Sequence, residues 1–70
     1  MRRLYGGHRI ESIGHQKPDD NKWTAKVTVF RNGKGYDCVG PLEPEDAFDS
    51  IAEAEASGIR FGKKWIDAAR

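Results

Sequence analysis

Asn32-Gly33 sits between two runs of alternating residues, Trp23 to Arg31 and Lys34 to Gly40, and it constrains the fold more than any other pair. Asn-Gly is the preferred pair of a two-residue type I′ hairpin, because both central residues need positive φ. A two-residue loop there places Val29 opposite Tyr36, Val27 opposite Cys38 and Ala25 opposite Gly40. One face of the ribbon then carries Trp23, Ala25, Val27, Val29, Tyr36 and Cys38, which is the expected core face. The other carries Thr24, Lys26, Thr28, Phe30, Asp37 and Val39, with Arg31 and Lys34 near the turn. Side chains alternate with period two, so a one-residue slip would exchange the faces.

Upstream, residues 7–15 are expected to form a first strand. Ile10 and Ile13 have opposite parity, so either a bulge intervenes or one of them faces outward. Residues 16–21, Gln-Lys-Pro-Asp-Asp-Asn, carry turn chemistry and close a looser hairpin. Downstream, Pro44 suits a first helical position, and Glu45 and Asp46 suit the positive end of a helix dipole. Ala47, Ile51, Ala54, Gly58, Phe61, Trp65 and Ala69 recur at steps of three or four, a single apolar stripe. One helix is therefore expected from about Pro44 to Ala69, with Gly58 the place where it would kink or stop. Gly58 and Gly62 would let it approach the sheet closely.

The expected fold is α+β: a three-stranded antiparallel meander with one long C-terminal helix across one face (β-β-β-α). Its expected core is Trp23, Val27, Val29, Tyr36, Ile51, Phe61 and Trp65. Residues 1–70 form one small domain, and so short a chain buries only about 60% of its unfolded surface, which makes its stability marginal. With 37% apolar and 33% charged residues the chain has the composition of a globular domain.

The net charge of +1 is unevenly placed: residues 1–35 carry eight Lys/Arg against three acids, and residues 36–70 carry four against eight. A basic strand region and an acidic helix, both solvated, account for this, as does a basic surface that meets an anionic partner. Cys38 is the single cysteine, which excludes an internal disulfide framework and fits a reducing cytoplasm. The basic start is followed by no apolar run, and no segment approaches the ~20 apolar residues of a membrane span.

Catalysis needs converging groups, and few are legible. Cys38 is expected to point into the core beside Val27, where a thiol behaves as a small apolar group. His8 and His15 match no zinc spacing. Gly6-Gly7 and Gly33-Lys34-Gly35 do not join a strand to a helix as phosphate loops do, and turns explain both. The acids Glu45, Asp46, Asp49, Glu53 and Glu55 suit a solvated helix face. No enzyme activity, cofactor, metal or small-molecule ligand is expected.

The outer face is the candidate site: Lys26, Thr28, Phe30 and Val39, with Arg31 and Lys34 at its rim. A single helix cannot cover it. An apolar patch around Phe30 in a polar surround is the pattern of an interface, for a second copy or another protein.

Two resemblances bear on this. Tyr5-x-Gly7-His8-x-Ile10, Trp23-x-Ala25-x-Val27, an acidic helix start with Ala47 and Trp65-Ile66-Asp67 together resemble small uncharacterised bacterial domains of β-β-β-α form. That likeness covers nearly the whole chain and implies a fold without an activity. The segment from Trp23 to Asp46, with its W-x-A-x-V run, Gly-Lys-Gly hairpin, Gly-Pro and acidic helix start, resembles the arm-type DNA-binding domain of tyrosine recombinases. This second likeness implies a sheet face laid in the major groove, where basic and amide side chains meet phosphates and base edges. Here that face offers Lys26, Arg31 and Lys34 beside Asp37, with no Asn or Gln from the strands.

Overall fold

The structure, a computed structural model, describes residues 1–31 and 38–69. The architecture is α+β with an antiparallel meander and one C-terminal helix, but the sheet has four strands. They are β1 (Arg2–Tyr5), β2 (His8–Gln16), β3 (Trp23–Arg31) and β4 (Cys38–Leu42), in the order β1-β2-β3-β4, followed by α1 (Ile51–Ala68). The additional strand comes from Gly6-Gly7, whose φ values of 55° and 78° make a two-residue turn that pairs Tyr5 with His8. Gly-Gly is a hairpin pair for the same reason as Asn-Gly.

Between β2 and β3 the register is unbroken, from His8 opposite Arg31 to Gln16 opposite Trp23. Ile10 lies against Val29 and is fully buried, whereas Ile13 lies against Lys26 and is 61% exposed. No bulge is needed, and Ile13 is the isoleucine that faces outward.

The β3–β4 register differs from expectation. Phe30 faces Cys38 and Val29 faces Val39, an offset of three residues from the two-residue-loop pairing of Val27 with Cys38. Asn32, Gly33, Lys34, Tyr36 and Asp37 lie outside the described residues. An odd offset exchanges the faces. Val39 and Leu42 therefore stand on the core face, opposite Val29 and Val27, and Cys38 stands exposed on the outer face. The physical reason is burial: this register turns two aliphatic side chains inward and leaves the thiol outside.

The step from Val29–Val39 to Val27–Leu42 leaves Gly40 and Pro41 facing Thr28 alone, a β-bulge on the edge strand. Pro41 follows a cis peptide bond and has no N–H to offer at that edge. Gly40 has φ 130°, and a Cβ there would stand 2.7 Å from the Val27 carbonyl oxygen and 3.1 Å from Thr28 Cα. Both obstacles are backbone. Gly40→Ala is expected to cost about 2 kcal/mol, a positive-φ penalty plus the clash, read as a lower urea midpoint with an unchanged slope.

The helix begins seven residues later than Pro44. Ser50 is the N-cap: its Oγ accepts from the Glu53 N–H at 3.2 Å and lies 3.0 Å from Glu53 Oε1. Ser50-x-x-Glu53 has the sequence of a capping box, with the Glu53 carboxylate accepting from the Ser50 hydroxyl. Phe48 is unavailable to a helix because its N–H and C=O pair with those of Trp23, at 2.8 and 2.7 Å. From Ser50 onward α1 is continuous through Gly58.

The helix runs antiparallel along β2. A Cβ on Gly14 would meet Ile51, one on Gly58 would meet Ser12 and Ala25, and one on Gly62 would meet Ile10. The core is Ile10, Ala25, Val27, Val29, Ile59 and Ile66, with Tyr5, Leu42, Phe61 and Trp65 packed at its margin. Ile51, expected inside, is 43% exposed, and Ala47 and Ala69 are exposed as well. The buried helix residues Ala54, Gly58, Ile59, Gly62 and Ile66 trace a stripe rotated from the expected one. The small residues Gly58 and Gly62 touch the sheet, so the larger Phe61 and Trp65 flank the contact.

Candidate functional site

The outer face is built from cross-strand rows. Leu4, Arg9, Phe30 and Cys38 form the first row, Arg2, Glu11 and Thr28 the second, Ile13 and Lys26 the third, and His15 and Thr24 the fourth. No described element packs over them; α1 lies on the opposite face.

Of the six candidate residues, Lys26, Thr28 and Phe30 stand on this face as expected, Lys26 exposed and the other two half-buried. Arg31, expected at the rim of this face, is exposed at the end of β3 opposite His8, with the parity of Val29 and so on the other side of the sheet. Lys34 lies outside the described residues. Val39 is a further correction: half-buried, it stands on the core face. Its expected place beside Phe30 is taken by Cys38.

Phe30 is less open than its sequence position implies. The Arg9 guanidinium lies over its ring, 4.4 Å from the centroid. Cation and aromatic attract through the ring quadrupole, by about 0.5–1 kcal/mol at an exposed site. Arg9 Nε is also 3.2 Å from Glu11 Oε2, and Arg2 Nε is 3.8 Å from the same oxygen. Glu11 thus fixes both arginines on one carboxylate, and pairs this exposed add little stability. Their effect is positional: Arg9 is held against the sheet between Glu11 and the Phe30 ring, while the Arg2 side chain stays 74% exposed. Within the described residues the face carries Arg2, Arg9 and Lys26 against Glu11.

The apolar part of the face lies elsewhere than expected. Leu4 is 83% exposed and Ile13 61% exposed, on either side of the Arg2–Arg9–Glu11 cluster. At the far end Thr24 is buried, with its Oγ1 3.0 Å from His15 Nε2. His8 has the other parity, and its Nδ1 lies 2.9 Å from the Gly6 carbonyl oxygen, so the two histidines do not converge. Among the described residues no three His, Cys, Asp or Glu side chains gather as a metal-binding group.

Sequence reasoning missed Arg2 and Leu4 as members of this face because it missed β1, whereas Arg9 lies on β2, the strand expected from residues 7–15. The signal was the Gly6-Gly7 pair, a turn flanked by Tyr5 and His8.

On the helix side, Glu55 Oε2 accepts from the Gly14 N–H at 2.9 Å, capping an edge of β2 that β1 does not reach. Tyr5 donates to the Asp67 carboxylate at 2.9 Å, and Lys63 Nζ lies 5.6 Å from the Tyr5 ring centroid. Lys22 pairs with Asp49 at the surface, which raises the lysine pKa and lowers the carboxyl's, first through the hydrogen bond and then through the opposite charge.

No family model, no curated protein and no solved structure matches this chain. No helix among the described residues is long and apolar enough to cross a membrane.

Proposed function

We propose that the protein is a small non-enzymatic interaction module that self-associates or binds another protein through the outer face of its sheet. The observation that carries this reading is the face itself. Leu4, Ile13 and the Phe30–Arg9 pair lie on a surface that no described element covers, among Arg2, Lys26, Thr28 and Glu11. An antiparallel sheet can leave one face in water, but a face of this kind normally presents polar residues at its outward positions. Two highly exposed aliphatic residues and an arginine stacked on an aromatic ring instead have the composition of an interface, where aromatic residues and arginine are enriched.

Sedimentation and affinity capture with the full chain test the proposal, with Phe30→Asp as the comparison. In the wild type the mass is expected to rise with concentration, or a partner to be retained. In Phe30→Asp that association should weaken at least tenfold, since the ring is lost and a carboxylate is put in its place. A wild type that is monomeric at high concentration and loses no partner on substitution overturns the reading.

A second reading has one specific observation in its favour. Arg2 and Arg9 join Lys26 on the face, so among the described residues the cations outnumber the single carboxylate. Nucleic-acid binding by such a face, with Lys34 added from the sequence, would weaken steeply as salt rises, through counterion release. Absence of binding to mixed duplex DNA or RNA at low ionic strength removes it.

A further inference from the structure

The sheet's outer face is not the only concave or charged surface. Between α1 and the connection that leads into it lies a groove of about 370 Å³. One wall is helical: Ser57, Arg60, Phe61 and Lys64, which at these spacings share one side of α1. The other wall comes from the connection, with Asp46 and Phe48. Phe48 and Phe61 are half-buried, while Arg60, Lys64 and Asp46 are exposed.

Both walls are fastened. Phe48 is held to Trp23 by two backbone hydrogen bonds of 2.7 and 2.8 Å, and the residues after it are held by the Lys22–Asp49 pair and the Ser50 cap. The helical wall cannot shift without displacing Gly58 and Gly62 from the sheet. The backbone that carries the two phenyl rings and the two cationic residues, one helical turn apart, is therefore fixed. Among the described residues neither Arg60 nor Lys64 makes an ion pair; the five pairs formed involve other cations.

We infer that this groove is a binding site for a small aromatic anion, a flat ring bearing a carboxylate or a similar group. The volume falls in the range of small-molecule sites, about 300–1,000 Å³, which pair an apolar lining with a few placed polar groups. The rings of Phe48 and Phe61 supply the apolar contact for a planar body. Arg60 and Lys64 supply the charge, with the guanidinium suited to a bidentate carboxylate. Asp46 opposes them from the other wall and sets the orientation, because the ligand's anionic end must turn toward the helix. Sequence reasoning foresaw no small-molecule ligand, because residues 46–48 and 57–64 become one surface only when the chain folds. The site is independent of the outer sheet face.

The test uses the full chain with 2-naphthoate as probe and the uncharged 2-naphthamide as control, followed by amide chemical shifts and titrated at low ionic strength. Shifts are expected at Ser57, Arg60, Phe61 and Lys64, with naphthoate at least tenfold tighter than the amide. The Arg60→Gln/Lys64→Gln double variant, whose changes are at exposed positions, should lose that preference while keeping its melting temperature within a few degrees. Asp46→Asn should tighten naphthoate two- to fivefold. Equal affinity for the two probes, shifts confined to the sheet's outer face, an unchanged preference in the double variant, or no binding at millimolar probe would each overturn the inference.

Discussion

Gly58→Val is expected to lower the stability of the protein by about 3 kcal/mol, at the upper end of overpacking costs. In an ordinary helix interior a side chain at a glycine position is favourable, and alanine is worth about 1 kcal/mol over glycine. Here the sign reverses. A Cβ on Gly58 would stand 2.0 Å from Ser12 Oγ, 2.9 Å from Ala25 Cβ and 3.0 Å from Ser12 Cβ. A serine hydroxyl can rotate away, but the two Cβ atoms are fixed to β2 and β3, so the helix must lift off the sheet. Gly58→Ala should already destabilise by about 1–2 kcal/mol. Ser12 Oγ is fully buried and has no hydrogen-bond partner among the described residues. Ser12→Ala alone therefore loses no bond and is expected to be neutral or stabilising by up to about 1 kcal/mol. Combined with Gly58→Ala it should recover part of the loss, a coupling that only touching residues show. Urea unfolding of the four proteins reads the whole cycle. A Gly58→Ala variant more stable than the wild type would mean that the helix does not lie this close to the sheet.

Ile10→Ala is expected to remove about 3 kcal/mol, within the 2–5 kcal/mol range for such truncations. Ile10 is fully buried, pairs with Val29 across the sheet and lies beneath Gly62. The side chain fills the place where the helix glycine leaves room, so the cavity left by its removal has no side chain opposite to collapse into it. A single core of this size rarely supplies more than about 3–5 kcal/mol, so the variant should be largely unfolded near 37 °C. Ile10→Val, which removes one methylene, should cost only about 1 kcal/mol. The comparison with Ile13→Ala is the sharper one. Ile13 is the same residue three positions along the same strand, yet it is 61% exposed, and its truncation should change the melting temperature little. A loss at Ile13 equal to that at Ile10 would contradict the assignment of faces on β2.

That assignment shows what the sequence held and what it did not. The β2–β3 pairing was legible because Ala25, Val27 and Val29 alternate cleanly, and the ambiguity at Ile10 and Ile13 resolves into one buried and one exposed residue. The β3–β4 register was not, although Asn32-Gly33 is a strong turn signal. A local turn preference is worth about 1 kcal/mol, whereas burying Val39 and Leu42 against Val29 and Val27 is worth more. The helix shows the same competition. Pro44 and the acids after it have the chemistry of a helix start, but the Trp23–Phe48 bridge and the Ser50–Glu53 box place the start at Ile51. The apolar stripe was misread for a related reason. Phe61 and Trp65 are the largest apolar residues of α1, but it is Gly58 and Gly62 that reach the sheet. As for the candidate face, Lys26, Thr28 and Phe30 followed from β3 alone. Arg9 followed from β2, whereas Arg2 and Leu4 required β1, a strand of only four residues without apolar alternation.

The proposal stands or falls on whether the outer face is open in the monomer and covered in the assembled state, and Cys38 reports on both. It is the single thiol, it is exposed, and it lies opposite Phe30. Alkylation of Cys38 by N-ethylmaleimide should be rapid in the dilute protein. It should slow at least tenfold in the concentrated self-associated protein or in the complex with a captured partner, and Phe30→Asp should abolish that protection. A thiol that is already protected in dilute solution would contradict the register, and one that reacts equally fast in both states would contradict the use of this face.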